Sequence, residues 1–353
     1  MANLQSQMCQ FHEEIKLKRF DENELLREKR DRILNRLGQG LKKIFESEGL
    51  KPPKYEYFDQ GSYAMGTGTK PVDGHYDIDT GIQFKISKDD YPDPVNVKEW
   101  VYLALNGHTK QVEIRRPCVT VFYQQDGEPI YHVDLAIYSD KDCNSDGKMY
   151  LAKGKLNSVA EHRFWQESDP QALINLIKNR FLDRDDDKQF RRTIRYLKRW
   201  KDVKFSSDGN AAPIGIGITL AAYYWFNPVY TRDSFTNKRS DDDLEALRHF
   251  VNAILTQFQN VYSNGNIVKR LTVNLPVSPH CDLFEKMTPN QMADFQEKLE
   301  ILLEAIEEAQ QKADPVEACE ILQKQFGKDF PIPSRKDTAQ KRPPAIISSS
   351  ASA

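Results

Sequence analysis

The stretch PIYHVDLAIYS, residues 129–139, alternates strand-forming residues more clearly than the rest of the chain. Val133, Leu135 and Ile137 fall on one face, and His132, Asp134 and Ala136 on the other. A carboxylate in such a strand is costly to bury without a partner, so Asp134 is expected to face a cleft or a cation. The strand also needs neighbours to pair with. DTGIQFKIS and RPCVTVFYQ supply them, and residues 55–60 read as a further short strand, so the part from about 50 to 140 is rich in strands.

The surrounding pattern is helical. Residues 18–48 place Leu25, Ile33, Leu37, Leu41 and Ile44 at three- and four-residue steps, which predicts a long amphipathic helix ended by Gly49 and the prolines of GLKPPKY. From about residue 158 the periodicity is that of helices again, in DPQALINLIKNRF, QFRRTIRYLKRWKDVKF, GIGITLAAYYWF, DDLEALRHFVNAILTQFQNVYS and TPNQMADFQEKLEILLEAIEEAQQKA. A strand-bearing lobe followed by a helical one implies an α+β architecture with a cleft between the two. The final PIPSRKDTAQKRPPAIISSSASA has the composition of a flexible tail.

Between the first helix and the first long strand lies GSYAMGTGTKPVDGHYDIDTG, residues 61–81. A calcium loop, a phosphate cradle, a metal-dependent transferase site and an ordinary acidic turn all use such residues. The EF-hand spacing is missing and so is the P-loop pattern GxxxxGK[ST], although Lys70 follows the glycines. If YDIDTGIQF opens a strand, Asp77 and Asp79 project together and Ile78 faces the core behind them. Two neighbouring carboxylates repel each other unless a cation sits between them, and magnesium prefers such oxygen ligands together with the phosphates of a nucleotide. With Asp134 on a neighbouring strand, three acids suffice for two metals. Gln60, Gly61 and Ser62 sit where a strand gives way to a turn. There glycine admits close backbone approach, and free N–H groups with the serine hydroxyl form an anion nest.

At these residues the chain resembles the polymerase-beta-like nucleotidyltransferases, whose pattern is GS, then [DE]-x-[DE], then a third acid. Within them it is most similar to the bacterial CD-NTases, the cyclic GMP-AMP synthase and DncV-like enzymes of CBASS antiphage systems. FDQGSYAMGT resembles their donor-nucleotide turn, YDIDTGIQF their metal-binding strand and YHVDLAIY the strand with their third acid. RRTIRYLKRWKD resembles the helix carrying a phosphate-contacting lysine, which implies that role for Lys198, and LPVSPHCDLFEKM looks like the loop before their final helices. The family often has a serine pair near the start of the following helix. This chain has PIGIGITL there, and Thr219 stands in the candidate position.

The resemblance covers about residues 15–330. It implies a nucleotidyltransferase lobe with a mixed sheet and a long N-terminal helix at 1–157, a helical lobe at 158–330 and a flexible tail at 331–353, with the active site in the cleft. It also implies synthesis of a cyclic di- or trinucleotide second messenger from NTPs. Asp77, Asp79 and Asp134 would then be the catalytic acids and ligands of Mg2+ or Mn2+, while Gln60, Gly61, Ser62, Lys198 and Thr219 would bind nucleotide. The product would be sensed by a downstream effector. A ubiquitin-like conjugation system acting on the tail at Ala353 is a further implied partner. The zinc insertion of the animal DNA sensor is absent, so DNA activation through such a module is not expected. Two rivals share part of this reading: an RNA- or tRNA-tailing enzyme of the same superfamily, and an inactive nucleotide-binding scaffold. The second has no need of three acids.

Composition narrows the field. Lysine and arginine number 50 against 52 acidic residues, a balance that disfavours a nucleic-acid polymer as partner. The five cysteines are dispersed without a CxxC pair, so neither a zinc ribbon nor a disulfide framework is expected. No apolar run reaches the ~20 residues of a membrane span, and the N-terminus lacks the order of a signal peptide, which points to a cytoplasmic protein. RDDDK at 184–188 and SDDDLE at 240–245 read as acidic helix starts. His132 reads as a structural histidine near the cleft. The remaining basic residues of RRTIRYLKRWKD read as a solvated helix face anchored by Trp200.

Overall fold

The computed structural model describes residues 2–17, 21–72, 74, 76–125, 128–206, 211–263 and 265–335. Two helices come first, α1 (Gln5–Ile15) and α2 (Asp21–Ser47). They are followed by β1 (Tyr55–Asp59), the single turn α3 (Gly61–Ala64), β2 (Tyr76–Phe84), α4 (Pro94–Leu105), β3 (Gln111–Ile114), β4 (Val119–Gln125) and β5 (Glu128–Ser139). Short strands β6 (Tyr150–Lys153) and β7 (Phe164–Glu167) complete a mixed sheet of order β1-β2-β5-β4-β3, with β6 on the end of β5 and β7 beyond it. The helical half holds α5 (Pro170–Lys178), α6 (Arg184–Lys204) and α7 (Gly215–Trp225). It continues with a hairpin of β8 (Tyr230–Arg232) and β9 (Arg239–Asp241), α8 (Asp243–Thr256), and a hairpin of β10 (Gln259–Ser263) and β11 (Asn266–Arg270). Helices α9 (Pro289–Gln311) and α10 (Pro315–Phe326) close it. This is the mixed-sheet α+β arrangement expected of a polymerase-beta-like nucleotidyltransferase.

The helix starts follow from the acidic residues. Asp183 accepts hydrogen bonds from the backbone N–H groups of Asp185 and Asp186 at the start of α6, and Asp242 does the same for Glu245 at the start of α8. Asp185, Asp186 and Asp187 form the acidic first turn of α6 behind the Asp183 cap, and the second run supplies both the Asp242 cap and the acidic first turn of α8. Both stretches are thus the acidic helix starts that their sequence indicates. Helix α4 starts with Asp93 as cap, which accepts from the Val95 N–H, and Pro94 at its first position; being apolar over most of its surface, it shows no amphipathic stripe in the sequence.

Two cores result. The first joins Ile33, Leu37 and Leu41 of α2 and Val97, Val101 and Leu105 of α4 to Ile78 and Ile82 of β2 and to Val133, Leu135 and Ile137 of β5. Each fully buried aliphatic side chain contributes about 1.5–3 kcal/mol. A slip of β2 by one residue would expose Ile78 and Ile82 and drive Asp77 and Asp79 inward, so the core fixes the acids on the opposite face. The side chain of Leu25 lies outside the described residues. The second core is helical and includes Ile194, Leu197 and Trp200 of α6, Ile218 of α7, Phe250 of α8 and Phe295 of α9. Helix α1, grouped in sequence with residues 1–157, packs into this second core. Its Phe11 lies 5.6 Å from the Tyr196 ring and 5.0 Å from that of Phe330. Of the expected tail, residues 336–353, with Ala353, lie outside the described residues.

Candidate active site

Strands β2 and β5 run parallel, and their register sets Asp77 opposite His132 and Asp79 opposite Asp134. The three acids predicted from the sequence are therefore brought together by backbone pairing. Asp77 is exposed, while Asp79 and Asp134 are half-buried. On the other side of Asp134, Thr120 of β4 is its paired residue and donates its hydroxyl to Asp134 Oδ1 at 2.5 Å. That contact was not read from the sequence, since it depends on which strand lies next to β5.

The Gln60–Gly61–Ser62 turn closes over Asp79. The Gln60 N–H donates to the Asp79 carbonyl at 3.2 Å, and the Tyr138 hydroxyl donates to Gln60 Oε1 at 3.0 Å. Gly61 has φ +69°, and a Cβ there would stand 1.9 Å from Asp79 Oδ2. Both backbone conformation and space thus require glycine at this position.

Turn, acids and the helical half line one open cavity of ≈ 520 Å³, with Ser62, Asp77 and Asp79 on one side and Lys198, Lys201 and Thr219 on the other. Lys198 Nζ is buried and donates to Thr67, at 3.2 Å to its hydroxyl and 3.3 Å to its carbonyl. Thr219 reaches the cavity wall with its hydroxyl donated back to the Gly215 carbonyl at 3.0 Å, which leaves its oxygen free only to accept. Every residue assigned from the sequence except Asp134 lines this cavity, and Asp134 is paired to Asp79 beside it.

The electrostatics are those of charges held out of water. Burial, followed by the charges of Asp77 and Asp134, pushes the Asp79 carboxyl up to about 7. Burial also raises Asp134, against the stabilising hydrogen bond from Thr120. Burial and then the nearby Arg195 and Lys201 push Lys198 down to about 7. A divalent cation among the acids and a polyanion beside Lys198 would each reverse the sign of these costs, so the donor set fits a magnesium- or manganese-nucleotide.

His132 is more than a neighbour. Its Nε2 lies 3.0 Å from Asp77 Oδ1, and that hydrogen bond raises its pKa. Asp77, His132 and Asp134 can bring one ligand atom each within 4.8 Å of one another. Asp79 stands apart from that group, held under the turn.

The basic face of α6 differs from its sequence reading. Trp200 is buried as expected, but the arginines are not solvated. Arg192 Nε donates to Asp243 at 2.6 Å and its Nη2 to Asp241 at 2.8 Å, which places it in the helical core. Arg191, Arg195 and Arg199 donate to backbone carbonyls of residues 65–70. Amphipathic periodicity cannot show this, because the acceptors belong to a loop about 130 residues earlier in the chain. All five cysteines are free, and His280 and Cys281 belong to no candidate metal group among the described residues.

Comparison with known proteins bears on the same residues. Residues 55–138, which contain the turn and all three acids, match the family described as the nucleotidyltransferase domain of cyclic GMP-AMP synthase DncV-like proteins. A cyclic GMP-AMP synthase of Escherichia albertii is 30% identical over 190 residues, which are 51% of this chain and 38% of that protein. Among solved structures, the apo form of Vibrio cholerae DncV superposes with a TM-score of 0.67 at 18% identity, covering 91% of this chain and 95% of that one. The complex of the same enzyme with the linear intermediate 5' pppA(3',5')pG has a TM-score of 0.58 at 20% identity, covering 79% and 70%. No helix among the described residues is long and apolar enough to cross a membrane. Residues 55–138 are thus similar to the DncV-like nucleotidyltransferase domain, and the chain shares the DncV fold along most of its length while matching little more than a third of the Escherichia albertii relative.

Proposed function

We propose that this protein joins NTPs into a cyclic di- or trinucleotide second messenger, and that it serves antiphage signalling of the CBASS type. One observation carries the reading. The parallel register of β2 and β5 assembles Asp77, Asp79 and Asp134 beside a Gly61–Ser62 turn, across a single cavity from Lys198. The cyclic GMP-AMP synthase relative and the DncV complexes support the choice of product class.

In this mechanism the three acids hold one or two magnesium ions, with manganese as the substitute; when bound, these would neutralise the triphosphate and acidify the acceptor ribose hydroxyl. The chain's own residues do the rest. The backbone of Gly61 and the Ser62 hydroxyl hold the donor phosphates, and Lys198 meets them as an ammonium from the helical side. Gln60, fixed by Tyr138, keeps the turn closed over Asp79, and Thr219 offers a hydroxyl oxygen at the opposite wall. Thr120 holds Asp134 by one oxygen and leaves the other toward the acceptor hydroxyl, whose proton it helps to remove. The ribose oxygen forms a bond to the α-phosphorus, the bond from that phosphorus to the bridging oxygen breaks, and pyrophosphate leaves with the electron pair. The same transfer within the linear product closes the ring, after one intermolecular transfer for a dinucleotide or two for a trinucleotide, with one pyrophosphate released at each step.

We also propose the division into a nucleotidyltransferase lobe at 1–157, a helical lobe at 158–330 and a tail at 331–353, with α1 physically on the helical side. Cytoplasmic localisation, a product-sensing effector and conjugation at Ala353 belong to the same reading. The test is incubation of the protein with all four NTPs and magnesium, followed by mass spectrometry of nuclease-resistant products. A cyclic oligonucleotide made by the wild type and not by an Asp77→Ala, Asp79→Ala double variant is the expected result. Tailing of added RNA without a cyclic product would assign the protein to the polymerase branch instead.

A further inference from the structure

Residues 65–70, MGTGTK, connect the Gly61–Ser62 turn to the approach of β2, and they are held from two sides. On one side stands the end of α1. Lys70 N–H donates to the Ile15 carbonyl at 2.8 Å, Lys16 bridges to Thr69, and Leu17 N–H donates to the Gly68 carbonyl at 3.4 Å. On the other side α6 presents four cationic side chains one helical turn or less apart. Arg191 donates to the Met65 carbonyl, Lys198 to that of Thr67, and Arg199 to that of Lys70 at 2.8 Å. Arg195 spans two acceptors with its planar fork, the Gly66 carbonyl at 2.5 Å from Nη2 and the Gly68 carbonyl at 2.9 Å from Nε.

The fork is itself braced. Arg195 Nη1 lies 3.1 Å from His12 Nε2 on α1, and burial followed by the Arg195 charge pushes His12 down to about 4. His12 is therefore neutral at pH 7 and accepts the guanidinium N–H. Gly66 has φ +68°, which favours glycine, and a Cβ there would stand 2.6 Å from Arg191 Nη1, so a side chain at this position would displace the tip of Arg191. The loop passes this constraint to the turn: Met65 N–H donates to the Gly61 carbonyl at 3.2 Å and Thr67 N–H to the Ser62 carbonyl at 2.9 Å. Met65 and Thr69 of the same loop line the cavity, whereas Arg195 does not.

We infer that Arg195 is a positioning residue for the nucleotide, which sets residues 65–70, and through them the Gly61–Ser62 turn, at a fixed distance from Lys198. It acts without touching the triphosphate. Carbonyl oxygens repel an anion, and each one engaged by α6 has its partial negative charge offset by a cationic donor. The clamp also joins the two halves of the protein, so that the turn from one half and Lys198 from the other keep their spacing. The clamp itself stands on the contacts above; its consequence for nucleotide binding rests on the function proposed here.

The experiment compares Arg195→Gln and Arg195→Lys with a control on the same helix, Arg192→Lys, whose contacts lead into the helical core. Hydrogen exchange at Gly66, Thr67 and Lys70 is measured without nucleotide, and ATP affinity is measured by calorimetry with magnesium. For Arg195→Gln we expect exchange at these three amides at least tenfold faster and ATP binding at least tenfold weaker. Arg195→Lys, which keeps the charge and loses the fork, should fall between. Arg192→Lys should lower the melting temperature and leave both readouts unchanged. Wild-type exchange rates in Arg195→Gln would overturn the inference, as would Arg192→Lys reproducing both effects. Failure of the wild type to bind any of the four NTPs would overturn the proposed function and the positioning role with it, while the exchange rates would still decide whether Arg195 holds the loop.

Discussion

The acids and the cations that face one cavity are held in different ways. Asp77, Asp79 and Asp134 are placed by strand register, a property of backbone pairing and of the apolar residues behind the sheet. The basic residues of α6 are placed by what their side chains grip, namely the carbonyls of residues 65–70 and the carboxylates of Asp241 and Asp243. A site fixed by register tolerates loss of a side chain without moving, so substitutions there should act on chemistry and local electrostatics and leave the local order intact. A site fixed by grip should move when a grip is lost, and substitutions there should act on binding and local order together.

The largest expected effect comes from the register side. Asp134→Asn keeps the side-chain volume and the contact with Thr120 while removing a charge from the proposed metal site. Turnover of NTPs should fall by about three orders of magnitude, within the range that loss of one electrostatic partner produces, with the melting temperature unchanged or raised. A large fall in melting temperature would show that the acid is structural and would erase the distinction between the two sides.

Thr120→Val sharpens the comparison further. It is nearly isosteric, it removes the hydroxyl that holds Asp134 Oδ1, and it leaves the β4–β5 pairing intact. A residue supporting a metal ligand typically contributes 10–100-fold in metal affinity. Manganese binding followed by electron paramagnetic resonance should weaken by about that factor in Thr120→Val and recover in Thr120→Ser. Equal affinity in all three proteins would remove Thr120 from the site.

The smallest effect is on stability and follows from sign. Asp79 has its carboxyl raised to about 7, so without metal the native state holds a proton that the unfolded chain releases near pH 4. Stability contributed at this position therefore falls as pH rises from about 4 to 7. Lys198 is pushed down to about 7, so the native state lacks a proton that the unfolded chain keeps up to about 10.5, and its contribution recovers from about 7 upward. Metal-free Asp79→Asn should melt a few degrees above the wild type at pH 8 and at the wild-type temperature at pH 3.5. Coincident melting curves at both values would mean that Asp79 is not under electrostatic strain.

The same contrast explains what could be read from the chain. The strands at 55–60 and 129–139, the long second helix, the acidic helix starts at 184–188 and 240–245 and the shared face of Asp77 and Asp79 all follow from local spacing, which sequence displays directly. The mixed sheet, by contrast, is implied by the family resemblance. The register also carries Asp134 to Asp79, because an acid in an apolar strand has few places to go. The grip of Arg195 on Gly66 and Gly68, of Thr120 on Asp134 and of His132 on Asp77 depends on which distant segments meet. The remaining basic residues of α6 therefore read as a solvated face although Arg191, Arg195 and Arg199 are, like Lys198, bound to backbone carbonyls. Helix α1 is hard to read from the chain for a related reason: its apolar residues are few, and they become decisive only where Phe11 meets Tyr196 and Phe330.

The most direct test of the central claim is a crystal structure with magnesium and a nonhydrolysable ATP analogue. The account predicts the triphosphate between the Gly61–Ser62 turn and Lys198, with the metal ions on Asp77, Asp79 and Asp134 and the loop 65–70 still gripped by α6. A nucleotide bound elsewhere, or a triphosphate in this cavity with no metal on the three acids, would contradict it.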